Sequence, residues 1–233
     1  MPTALITGAS RGLGAAIARQ LASTHDLILG GRPSAGLDAA AAELGAATFA
    51  VDVTDHDAVA AAAASIPVLD VLVHNAGIGS SLSPIAATPV AEWRAVLEVN
   101  LIAVAELTRV LLPALRRADA GHVVLINSGA GIRANPRWAS YAASKFGLRA
   151  FGDALRLEEP DLRVTSIFPG RIDTDMQREL IAIEGKPYDA SQFLTAETVA
   201  AAVATAIATP ADAHPTEVVL RPTGRSPGVR GPV

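Results

Sequence analysis

Along most of its length the chain alternates short apolar runs with alanine-rich stretches of helical period. The runs at 3–7, 26–30, 46–51, 68–74, 122–127, 163–168 and 217–220 are mostly continuous in β-branched residues and leucine. They do not alternate with polar residues, which is the mark of strands covered on both faces. Between them, 13–23, 34–44, 55–64, 90–117, 138–159 and 195–208 read as helices. Thr54 and Asp55, and Thr195 with Thr198, supply helix-entry chemistry. The alanine blocks at 39–42 and 61–64 belong to helices, because alanine is the best helix former. Strands alternating with helices imply crossover connections and a doubly wound parallel sheet. The expected fold is α/β, a parallel seven-stranded sheet flanked by helices. No linker divides the chain, so 1–233 reads as a single domain, with 221–233, rich in Pro, Gly and Arg, as a flexible tail.

Composition narrows the function. Lys and Arg number 19 against 23 Asp and Glu, a formal net charge of −4, which argues against general nucleic-acid binding. The absence of cysteine rules out thiolate nucleophiles and cysteine-held metals. The five histidines, at 25, 56, 74, 122 and 214, have no metal-ligand spacing, so no metal is expected. No apolar run is long enough to span a membrane. The opening Met-Pro-Thr-Ala-Leu-Ile-Thr-Gly lacks the basic start of a signal peptide, so the expected location is cytoplasmic.

The first strand runs into Thr7-Gly8-Ala9-Ser10-Arg11-Gly12-Leu13-Gly14 and then into a helix. Glycines here permit positive φ and let a ligand approach the backbone. The helix start offers unpaired N–H groups and partial positive charge to a pyrophosphate. This is the context of a Rossmann-type dinucleotide site, although the spacing is Gly-x3-Gly-x-Gly. The second strand ends in Gly30-Gly31-Arg32, with no acidic residue to hold a ribose 2′-hydroxyl. Arg32, and Arg11 from the turn, instead suit a 2′-phosphate. The expected cofactor is NADP(H) rather than NAD(H).

Ser128 closes the fifth strand, Tyr141 follows thirteen residues later, and Lys145 stands four beyond Tyr141 on the same helical face. A free phenol titrates near ~10. A neighbouring ammonium favours phenolate, so Tyr141 is expected to have a lowered pKa and to act as general acid or base. Ser128 can hydrogen-bond the same substrate oxygen.

Together these residues resemble the short-chain dehydrogenase/reductase family. The resemblance rests on Thr7-Gly8-x3-Gly12-x-Gly14, Asp52, His74-Asn75-Ala76-Gly77, Asn100, Ser128, Tyr141-x3-Lys145 and Pro169-Gly170-x3-Thr174, in family order from 7 to 174. It implies a catalytic set of Asn100, Ser128, Tyr141 and Lys145, with Asn100 holding a relay water and Lys145 also binding the nicotinamide ribose. Asp52, beside Val53, would meet the adenine amino group. Asn75 would stabilise the sheet, with Ala76 and Gly77 backing the adenosine ribose. Ile172 and Thr174, after Pro169 and Gly170, would meet the carboxamide and pyrophosphate, and Ser10 and Leu13 would join the glycine turn around the cofactor. His74 stands where the family often has a second Asn and reads as structural.

The segment 173–194 is expected to be a substrate lid. Met176 and Phe193 within it, and Trp138 and Ser128 beside Tyr141, are the candidate substrate contacts, which points to a hydrophobic carbonyl or alcohol. The resemblance also implies a homodimer or homotetramer through the helices 90–117 and 138–159. Two other readings stay open: a non-catalytic dinucleotide sensor, and an enoyl reductase or epimerase on the same fold. The Tyr-x3-Lys spacing favours carbonyl chemistry within the resemblance.

Overall fold

The structure is a computed structural model and describes residues 1–210 and 212–224. Among these, seven strands occur: β1 (Thr3–Thr7), β2 (Asp26–Gly31), β3 (Ala47–Ala50), β4 (Val71–His74), β5 (His122–Ile126), β6 (Arg163–Pro169) and β7 (Glu217–Leu220). They form one sheet in the order β3-β2-β1-β4-β5-β6-β7, and every neighbouring pair is parallel. The connections carry α1 (Gly12–Leu21), α2 (Ala35–Leu44), α3 (His56–Ala63), α4 (Val90–Leu97), α5 (Ala103–Leu115), α6 (Ala139–Glu158), α7 (Asp175–Glu184) and α8 (Ala196–Ala208).

Apolar residues pack on both sides of the sheet, which is why the strands read as continuous runs. Ala4, Ile6, Val71, Val73, Val124 and Ile126 share one core with α1, α2 and α8. Their neighbours Leu5, Leu72, Val123 and Leu125 share the other with α3, α5 and α6. Successive residues of a strand thus enter opposite layers. The chain reverses direction across the sheet between β1 and β4, and the crevice at the carboxyl ends of the strands opens there.

The connections add detail to the expected elements. The helix expected over 90–117 forms without a gap from 90 to 115, and differs only in a wide π-type turn, Glu98–Ile102, between α4 and α5. Such a turn takes one extra residue into an otherwise continuous helix, so the sequence reads as one rod. The segment 173–194 holds an ordered helix, α7, capped by Thr174 Oγ1, which accepts the Gln177 N–H at 3.3 Å. Of the expected tail, 225–233 lies outside the described residues, and Arg221 is fastened rather than frayed, its Nη1 donating to the Phe168 and Leu220 carbonyls at 2.9 Å. At the cap expected from Thr54 and Asp55, Asp55 accepts the Ala58 N–H at 3.0 Å, while Thr54 turns back to Asp52. No helix among the described residues is long and apolar enough to cross a membrane.

Candidate active site

The glycine turn is shaped by two close approaches. Gly8 has φ +65°, and a Cβ on Gly14 would lie 2.2 Å from the Gly8 carbonyl oxygen, so α1 can start against the strand only without a side chain there. Arg11 precedes α1 in extended conformation and gives no side-chain cap, which leaves the first helical N–H groups to other acceptors. Thr7 ties the turn to β4. Its Oγ1 accepts from the Asn75 and Ala76 N–H groups at 3.0 Å and donates to the Val73 carbonyl at 3.3 Å. Asn75 Nδ2 returns the contact, donating to the Thr7 and Gly8 carbonyls at 2.9 and 3.2 Å.

Most of the residues singled out in the sequence meet in one cavity of about 580 Å³. Gly8, Ser10, Arg11, Gly12, Leu13, Arg32, Asp52, Val53, Asn75, Ala76 and Gly77 line its first half. Ser128, Trp138, Tyr141, Lys145, Pro169, Gly170, Ile172, Thr174 and Met176 line the rest. Gly14, Asn100 and Phe193 do not line it. Gly14 packs beneath the turn, and Phe193 is held away against Tyr188, with ring centroids 5.2 Å apart. Asp52 Oδ1 accepts from the Thr54 N–H and hydroxyl at 3.0 and 2.8 Å, and these bonds hold its carboxyl below the usual range.

Tyr141 and Lys145 share the inner face of α6. Lys145 is 6% exposed and its Nζ donates to the Ile126 carbonyl at 2.9 Å, 5.8 Å from the Tyr141 ring centroid. Burial lowers the ammonium pKa to about 8. The phenol moves opposite to expectation. Burial raises the Tyr141 pKa above its ordinary value, and the hydrogen bond with Ser128 pulls it down only in part. Desolvation of a phenolate outweighs the help of that one hydrogen bond. Ser128 Oγ accepts the Ala130 N–H at 3.1 Å, so its proton remains available for another acceptor.

Asn100 sits in the π-type turn, 1% exposed, behind the cavity wall. Its Oδ1 accepts the Ile78 N–H at 2.9 Å, and its Nδ2 donates to the Ile78 carbonyl at 2.9 Å and to Ser144 Oγ at 3.1 Å. Ser144 Oγ donates in turn to the Tyr141 carbonyl at 2.7 Å. Both amide protons of Asn100 are thereby used within the fold. The side chain braces the loop after β4 against α6.

Sequence reasoning did not assign Asn127 a role. Its Nδ2 donates to the Lys145 carbonyl at 3.1 Å, and its Oδ1 accepts the Ser128 N–H at 2.8 Å, so one amide fixes both ends of the Ser128–Lys145 pairing. Its place beside Ser128 was the available signal. Arg171, Asp175, Gln177 and Leu180 also line the cavity and were not foreseen as site residues. Arg171 lies over the Trp138 ring at 5.7 Å and pairs with Glu184. His74 is fully buried, its Nε2 2.9 Å from Thr108 Oγ1, and burial drives its pKa down to about 3. It therefore stays neutral. No cluster able to hold a metal ion occurs among the described residues.

A glycine turn, a strand-end serine and a Tyr-x3-Lys helix around one crevice make a recognisable set. Residues 2–184 match the family described as short chain dehydrogenase. The chain belongs to that family. An uncharacterized short-chain type dehydrogenase/reductase of Sinorhizobium fredii is 33% identical over 231 residues, covering 97% of this chain and 93% of that protein. Among solved structures, an alcohol dehydrogenase from the archaeon Thermococcus sibiricus, complexed with 5-hydroxy-NADP, superposes with a TM-score of 0.86 at 30% identity, over 98% of this chain and 100% of that one. The closed form of a serine dehydrogenase complexed with NADP+ gives a TM-score of 0.86 at 26% identity, over 99% of each chain. This short-chain dehydrogenase is thus an oxidoreductase of the Rossmann type, with a seven-stranded parallel sheet.

Proposed function

We propose that the protein is an NADP(H)-dependent enzyme interconverting a carbonyl and a secondary alcohol. The observation that carries this reading is that Ser128, Tyr141 and Lys145 wall the same cavity into which the glycine turn opens. Its volume of about 580 Å³ and its Cβ-free entry at Gly8 and Gly12 fit a dinucleotide. Two structural neighbours carry NADP-type ligands, which supports the same cofactor here. Arg32 on the cavity wall, at the end of a strand that lacks an acidic residue, supports the phosphorylated form.

When bound, the nicotinamide would supply or accept the hydride. The chain's own residues handle position and protons. Tyr141, kept protonated by burial, is the general acid for reduction, giving its phenolic proton to the carbonyl oxygen. The Lys145 ammonium then faces the phenolate and offsets its charge. Ser128 Oγ donates to the same substrate oxygen and holds it beside Tyr141. Asp52 would bind the adenine amino group, and Thr174 with Ile172 the nicotinamide end. Trp138, Met176 and Leu180 form the apolar wall for the substrate.

The segment 173–194 serves as a lid. It leaves and returns through the Ile172–Leu194 bridge, so its two ends are clamped together while its middle faces the cavity. Ile102 and Phe146, 45% and 42% exposed, belong to a subunit contact, which sedimentation of the purified protein would test. A dinucleotide sensor would have no use for a buried proton donor and ammonium beside the cavity. The deciding experiment is NADPH oxidation over a panel of aldehydes and ketones, with Tyr141→Phe as control. Turnover by the wild type, lost at least 100-fold in the variant while NADPH still binds, is the expected result. Undiminished turnover in the variant defeats the assignment.

A further inference from the structure

Gln177 is 5% exposed and lines the cavity from the first turn of α7, between Met176 and Leu180. Its Nε2 has no hydrogen-bond partner. A buried amide without a partner is expensive and uncommon in a folded chain. Helix capping does not account for it: the cap uses the Gln177 main-chain N–H, which donates to Thr174 Oγ1, and leaves the side chain idle. Nor does packing require it. Met176 and Leu180 meet the opposite loop through carbon, the ideal Cβ position of Gly79 lying 3.7 Å from Leu180 Cδ2 and 4.0 Å from Met176 Cγ. An apolar side chain would fill the same place without leaving a donor unused.

We propose that Gln177 is a specificity residue. Its amide N–H2 donates to a second oxygen of the substrate, so that the enzyme favours carbonyl compounds bearing another hydrogen-bond acceptor, such as keto esters, over equally long simple ketones. The inference rests on the reductase reading given above. The donor meets the substrate when the carboxamide is turned about its last side-chain bond, the two ends of an amide being nearly equal in size, and a buried donor discriminates strongly against a ligand that leaves it unpaired. Because it lies on α7, within the lid, this donor reaches its partner as the lid closes. The reacting carbonyl is held by Ser128 and Tyr141 at the other wall.

The test compares a matched pair of ketones that the wild type reduces, such as ethyl acetoacetate and 2-heptanone, which have equal chain length and differ in the ester oxygens. The ratio of their kcat/KM values is measured for the wild type and for Gln177→Met, which keeps length and removes the amide. Thermal melting verifies that the variant is folded, and Gln177→Leu serves as a second apolar replacement. NADPH affinity is measured separately by fluorescence titration. The expected result is a fall of about tenfold in the ratio, through a higher KM for the keto ester, with NADPH affinity unchanged. An unchanged ratio overturns the proposal. So does weaker NADPH binding with the ratio preserved, because the donor would then serve the cofactor. Failure of the wild type to reduce any carbonyl compound is separately visible and removes the reductase reading together with this one.

Discussion

Arg11 Nη1 lies 2.8 Å from Asp175 Oδ2, which joins the glycine turn to the first turn of α7 beside the cavity that both residues line. The two side chains are 73% and 54% exposed, so the pair contributes at most about 1 kcal/mol to stability. Its effect on a phosphate-bearing ligand is larger. On the proposed NADP(H) reading, the carboxylate occupies a guanidinium that would otherwise meet phosphate, and adds negative charge to the same wall. Asp175→Asn is expected to tighten NADPH binding several-fold at low ionic strength, with the gain shrinking as salt rises. Fluorescence titration at two salt concentrations measures this, and equal or weaker binding by the variant counts against it.

Arg32 lines the cavity and acts on Asp52, whose carboxyl it helps to hold ionised. In Arg32→Ala, kcat/KM with NADPH should fall tenfold or more, while the value with NADH changes little. Steady-state kinetics with both cofactors decides, and equal losses with the two would remove Arg32 from the selection of cofactor.

Lys145 burdens the fold. Its folded pKa of about 8 lies below the ~10.5 of an unfolded lysine. The unfolded chain therefore binds the proton more tightly, and below pH 8 burial of the ammonium is a constant penalty. Between pH 8 and 10.5 that penalty is relieved, because the folded lysine is already neutral. Lys145→Met should abolish turnover yet raise stability at pH 7, on the order of a few kcal/mol. The advantage over the wild type should narrow as pH climbs from 8 toward 10.5. Denaturant melts across that range test the sign, and a variant less stable than the wild type at pH 7 contradicts it.

Thr7 offers the reverse case, a side chain whose hydroxyl alone matters. Thr7→Val keeps the shape and leaves the Asn75 and Ala76 N–H groups without their acceptor. A loss of about 2–4 kcal/mol is expected, together with weaker dinucleotide binding as β4 loosens from the turn. Urea unfolding measures the first and titration the second. A loss under 0.5 kcal/mol would mean that the clamp is dispensable.

The sheet was legible because both of its faces are buried, so Leu5 and Ile6 needed the same character although they enter different cores. The glycine turn and the Tyr141–Lys145 face were legible from spacing alone. What escaped depended on three-dimensional neighbours. The wide turn between α4 and α5 is not announced by residue type, and Phe193 reads as a pocket residue until Tyr188 is seen to claim it. The sign of the Tyr141 shift turned on desolvation, which a sequence does not display. Thr7 and Asn127 looked like ordinary motif neighbours, since their partners are backbone atoms of other strands and helices.

The turn at Glu98–Ile102 makes this stretch sensitive to length rather than to composition. Removing one residue there would turn the wide turn into regular α-helix and swing Asn100 by about 100° around it, off Ile78 and Ser144. Helix content would be unchanged and both cores could still close, yet the loop after β4 would lose its tether to the helix that presents the phenol. A single-codon deletion could thus separate a well-folded dehydrogenase from a working one.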